Sequence, residues 1–66
     1  MGRFYYICER LRSGHGKFLG VLNGKRVALA KLKSCAAKTS NEVYVLDVLS
    51  GEVIARRMGL LPVPAK

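Results

Sequence analysis

Asn23-Gly24-Lys25-Arg26-Val27-Ala28-Leu29-Ala30-Lys31-Leu32-Lys33-Ser34-Cys35-Ala36-Ala37-Lys38 is the stretch whose reading decides the fold. Asn-Gly between apolar runs is a strong hairpin signal, and it would make residues 25 to 31 a third strand in a five-stranded barrel. The alternative is a bend that leads into a helix. At 100° per residue, Ala28, Leu29, Leu32, Cys35 and Ala36 fall within an arc of about 120°. Arg26, Lys31, Lys33, Ser34 and Lys38 fall opposite. Lys31 interrupts the alternation a strand would need, and the run of alanines favours a helix over a strand. A helix over 26 to 38 is therefore expected, although Lys25 and Arg26 sit at its positive end. Asn41 is the candidate left-handed residue that closes it.

Two strands precede this helix. Residues 3 to 11 are rich in aromatic and β-branched side chains, with Phe4, Tyr6 and Cys8 on one face and Tyr5, Ile7 and Leu11 on the other. Phe4 and Tyr6 read best as core, while Tyr5 is as well suited to stacking on an unpaired base. The Gly-flanked loop around His15 then leads to a second strand, Lys17 to Leu22, giving an antiparallel hairpin.

A second hairpin follows the helix. Glu42-Val43-Tyr44-Val45-Leu46-Asp47-Val48-Leu49 alternates, Ser50-Gly51 is the expected turn, and Glu52 to Arg57 returns. A two-residue turn pairs Val48 with Val53 and Leu46 with Ala55. Tyr44, Leu46, Val48, Val53 and Ala55 then face the helix. Val43, Val45, Leu49, Ile54 and Met58 lie on the other side, too apolar for a solvated surface, and are the candidate homo-oligomer face. The alternative cover is the tail, Gly59 to Lys66, which its two prolines exclude from a sheet interior.

The expected architecture is therefore a single α+β domain, β-β-α-β-β, over residues 1–58. It has a four-stranded antiparallel sheet, one helix and an extended tail over 59–66. This rhythm is generic to short bacterial and phage proteins and carries no family motif.

Composition sets the functional expectations. Twelve Lys and Arg against four Asp and Glu leave a net charge of +8. No acidic residue occurs between Arg10 and Asn41, a span holding eight of the cations. Such a field suits nucleic acid or an acidic protein surface, where a small modulator or inhibitor would dock; the plain alternative is a solvated basic surface. The candidate contacts are Arg3, Tyr5, Arg10, Arg12 and Lys17 on the first hairpin, and Arg26, Lys31, Lys33 and Lys38 on the helix. The helix offers phosphates its cations but no base-reading Asn or Gln. Assembly through the apolar sheet face is the third reading.

No nucleophile stands beside a base, and the four carboxylates are scattered, so no enzyme, catalytic residue or cofactor is expected. His15, Cys8 and Cys35 lack metal-ligand spacing. Ser13-Gly14-His15-Gly16-Lys17 lacks the spacing of a phosphate-binding P-loop. Cys8 and Cys35 read as small apolar residues, reduced in a cytoplasm, rather than as a disulfide. No apolar run approaches the roughly 20 residues of a membrane span.

Overall fold

A computed structural model describes residues 3–62. The chain runs β1 (Phe4–Arg10), β2 (Gly16–Asn23), α1 (Lys25–Ala36), β3 (Glu42–Asp47) and β4 (Val53–Arg57). The strands form one open antiparallel sheet in the order β2-β1-β3-β4, with the helix on one side. The β-β-α-β-β domain is thus as expected, and the sheet does not close into a barrel.

Asn23-Gly24 is a bend and not a hairpin turn. Gly24 has φ +100°, where a side chain would be strained. Its N–H bonds the Arg3 carbonyl at 2.8 Å, and its carbonyl accepts the first helical bond, from Ala28 N–H at 3.0 Å. The helix ends at Ala36 without a left-handed residue: Ala37 is right-handed, and Lys38 N–H bonds the Cys35 carbonyl at 3.0 Å. Asn41 therefore does not close the helix. Its side-chain amide instead donates to Glu9 Oε2 at 2.7 Å.

The core lies between the helix and the odd-numbered residues of β1 and β3. Ala28, Leu32 and Ala36 face Tyr5, Ile7, Val43 and Val45, all buried. Ile7, Val43 and Val45 are the largest side chains that are fully enclosed. Two alanines on the helix let it approach the central strands closely.

This arrangement overturns the expected faces. Val43 and Val45 are core and not an oligomer surface, and Ile54 packs against them. Leu49 lies in the β3–β4 loop and Met58 beyond β4, both exposed. Phe4 and Tyr6 point away from the core, and Tyr5 points into it. One cause is chain handedness. β2 and β3 both run antiparallel to β1, so α1 is a crossover between parallel strands, and such crossovers are right-handed almost without exception. With the Arg3 carbonyl directed to the β2 side and the Phe4 carbonyl to Val48 on the β3 side, that hand puts the helix over the odd-numbered residues.

The other cause is the second hairpin's turn, which takes four residues and not two. Asp47 N–H bonds the Glu52 carbonyl at 2.8 Å, and Gly51, at φ +74°, bonds the Asp47 carbonyl. The Asp47 carboxylate accepts Leu49 N–H at 2.9 Å. The register becomes Leu46 with Val53 and Val45 with Ala55, with a bulge between. Ala55 thereby keeps its expected place on the helix side, but opposite Val45, while Val53 lies with Leu46 on the other face.

The domain also extends past residue 58. Leu60 N–H bonds the Ala36 carbonyl at 2.8 Å and Leu61 N–H bonds the Thr39 carbonyl at 3.1 Å, tying the chain to the end of the helix. The remainder of the expected tail, residues 63–66, lies outside the described residues.

Candidate nucleic-acid interface

The two sides of the molecule differ in charge. On the helix side, Lys25, Arg26, Lys31, Lys33 and Lys38 are exposed along and just beyond α1. The sheet adds Arg3 at the start of β1, Lys17 opposite Glu9, and Arg57 opposite Val43. Two carboxylates of the strands, Asp47 and Glu9, share that side and both are engaged, while a third acid, Glu52, is exposed in the β3–β4 loop across from Asp47. Asp47 is 5% exposed, binds the Leu49 N–H and lies 3.6 Å from Arg3. Glu9 Oε2 accepts from Thr39 Oγ1 and Asn41 Nδ2, each at 2.7 Å.

These two hydrogen bonds, with the nearby positive charge of Lys17, hold the Glu9 carboxyl below its ordinary value despite some desolvation. A carboxylate with a depressed folded pKa adds stability that is present above its unfolded pKa and is lost as pH falls through the folded one. Urea titrations of the wild type and Glu9→Gln should therefore differ most at neutral pH. The gap should narrow as pH falls through and below the ordinary carboxylate range, towards the lowered folded value at which the wild-type carboxyl protonates. A gap that stays constant down to about pH 2 would mean that Glu9 contributes nothing through its charge.

Glu9 also lines a cleft of about 280 Å³ beside the second half of the helix, with Leu19, Lys31, Cys35, Lys38 and Thr39. Lys31 and Lys38 flank its mouth, so the cleft belongs to the basic side.

The opposite face is apolar. Its rows follow from the register: Val21, Tyr6, Leu46 and Val53 across the middle, then Phe18, Cys8, Tyr44 and Arg56, then Gly16, Arg10 and Glu42. Tyr6 and Phe18 meet edge to face, with ring centroids 5.2 Å apart. Arg10 bonds Glu42 Oε1 at 3.0 Å and lies over the Tyr44 ring, 5.3 Å from its centroid. Desolvation, with Cys8 beside it, raises the Tyr44 phenol above its ordinary value, and Arg10 opposes that shift. The ring reaches over Gly16, where an added Cβ would lie 2.7 Å from its hydroxyl oxygen.

The expected contact residues therefore do not share one surface. Arg3, Lys17, Arg26, Lys31, Lys33 and Lys38 belong to the helix side. Arg10 is on the open face in an ion pair, and Arg12 is in the β1–β2 loop. Tyr5, at 5% exposure, is closed to any base. The residues that sequence reasoning missed are Lys25 and Arg57, whose places depend on the exact helix start and on the β4 register.

The chain matches no protein-family model, no curated protein and no solved structure. The site must be argued from its own residues. Among the described residues, no three His, Cys, Asp or Glu groups gather as metal ligands, and both cysteines are free. No helix among the described residues is long and apolar enough to cross a membrane.

Proposed function

We propose that this is a small, non-enzymatic nucleic-acid-binding protein that contacts the phosphate backbone with its helix side. The observation that carries the reading is the unneutralised charge of that side. Its two strand carboxylates are occupied by Arg3, Leu49, Thr39 and Asn41, so Lys17, Lys25, Arg26, Lys31, Lys33 and Lys38 act together on solvent. A field of one sign attracts polyanions at long range and suits phosphates without selecting bases. The helix has no Asn or Gln among its outward residues, which supports backbone contact with little sequence readout.

The test is a salt titration of binding to labelled duplex DNA, single-stranded DNA and RNA. Affinity should fall steeply with salt, the logarithmic slope counting the phosphates contacted at about 0.9 per contact on duplex. Lys31→Ala and Lys33→Ala should each reduce that slope by about one and weaken all sequences alike. Absence of binding to all three nucleic acids at about 150 mM salt would instead favour an acidic protein surface as the partner of the same cations.

A further inference from the structure

We infer that the open face of the sheet is a self-association surface, occupied by the same face of a second copy of this chain. The inference is independent of nucleic-acid binding, since it concerns the other side of the molecule.

Exposed bulk is the first observation. Phe4, Phe18 and Val21 are each more than half exposed, and Tyr6 and Val53 more than a third, on one continuous face. Leu46 joins Tyr6 to Val53 across the centre. With side chains of this size, the face offers about 500 Å² of largely apolar surface, towards the upper end of what a monomer usually exposes. Two copies joined through it would bury about 1,000 Å², the threshold for a biological interface and the size of a weak, concentration-dependent dimer.

Charge decides which partner fits. The helix side holds almost all of the excess positive charge. The open face has two arginines, and Arg10 is already paired with Glu42. A nucleic-acid strand on the open face would therefore meet the side of the protein poorest in free cations. A second copy meets no such mismatch. Joined face to face, the two basic layers point outward, separated by three inter-layer spacings of about 10 Å each, well beyond the Debye length at physiological salt.

The small core is the third observation. Among the described residues, only Ile7, Val43 and Val45 of the larger side chains are fully enclosed. A domain of this size is marginal alone, and oligomerisation is a common remedy.

The test uses the full chain and its own thiols. Cys8 lies on the open face and Cys35 on the helix side, and both are partly accessible. Sedimentation equilibrium should give a mass rising with concentration from 7.3 kDa towards twice that value. Alkylation of Cys8 should slow over the same range while that of Cys35 does not. Phe18→Glu should keep the wild-type circular dichroism and raise the dimer dissociation constant at least about tenfold, because it buries two charges per dimer. A wild-type chain that stays at 7.3 kDa up to about 1 mM would overturn the inference. So would a dimer in which Cys8 is unprotected, or a monomer whose Tyr6 fluorescence is quenched by single-stranded nucleic acid. If Phe18→Glu does not fold, the thiol comparison on the wild type decides alone.

Discussion

Ile7→Ala should lower the stability of the domain by about 3 kcal/mol, the middle of the range for truncating a buried aliphatic side chain. Ile7 is 1% exposed, on the strand that lies between β2 and β3, beneath the helix. Its removal opens a cavity that neither the sheet nor the helix can close without breaking other contacts. A chain of this length is stabilised by about 3–10 kcal/mol in all, so the variant should lose between about a third and all of its stability. Leu46→Ala, in the adjacent pair but on the open face, should cost less than half as much in dilute protein, because water already reaches that side chain. Urea denaturation of the two variants checks the assignment of faces. A larger loss at Leu46 than at Ile7 would mean that the helix lies on the other side of the sheet.

That comparison matters because the face was not legible in the residues themselves. In β3, Val43 and Val45 alternate with Tyr44 and Leu46, so both parities are apolar. In β1, Phe4 and Tyr6 compete with Tyr5 and Ile7 on the same terms. Hydrophobic alternation identifies a strand in such a case but not its buried side. The side follows from the hand of the crossover and from a turn that Asp47 lengthens with its own carboxylate. By contrast, the helix was legible, because its small apolar residues recur at a single period. It was expected over 26–38 and observed over Lys25–Ala36, with the inward set Ala28, Leu32 and Ala36 among those expected.

The candidate site divides in the same way. That the chain is basic, and that its cations cluster between Arg10 and Asn41, was plain from composition. Which cations share a side was readable on the helix, where the period fixes their direction. It was not readable on the first hairpin, where parity scatters them. Arg10 and Lys17 belong to opposite faces, although both are near the same loop, and Tyr5 is lost to the core. Asp47 is engaged locally, by Leu49 N–H two positions on, but Glu9 is withdrawn from the basic side by hydrogen bonds from Thr39 and Asn41, 30 and 32 positions away. No local pattern announces such a pairing.

Gly59→Ala should cost about 1–3 kcal/mol, the loss of two backbone hydrogen bonds. Nothing in the sequence marks this glycine as special, and its backbone does not need a positive φ, since among described residues only Gly14, Gly24 and Gly51 have one. Its role is close approach. A Cβ there would fall on the carbonyl oxygen of Thr39, 2.6 Å from the carbonyl carbon and 2.7 Å from the Asn41 carbonyl oxygen. All three are backbone atoms, which cannot swing aside as the end of a long side chain can. The chain after β4 must then lift away, and Leu60 N–H and Leu61 N–H release the carbonyls of Ala36 and Thr39. Those carbonyls lie at and just beyond the last turn of α1, whose other end has no side-chain cap and no acidic residue in its first turn. The helix therefore depends on its C-terminal docking more than a well-capped helix would. Because the mechanism is release of the segment, deleting residues 59–66 should destabilise the domain by about the same amount as Gly59→Ala. Combining both changes is impossible by construction, so the comparison rests on matched thermal melts of the two variants. Equal losses identify docking as the whole effect. A substantially smaller loss for Gly59→Ala would mean that the backbone at Thr39 yields and the segment stays in place.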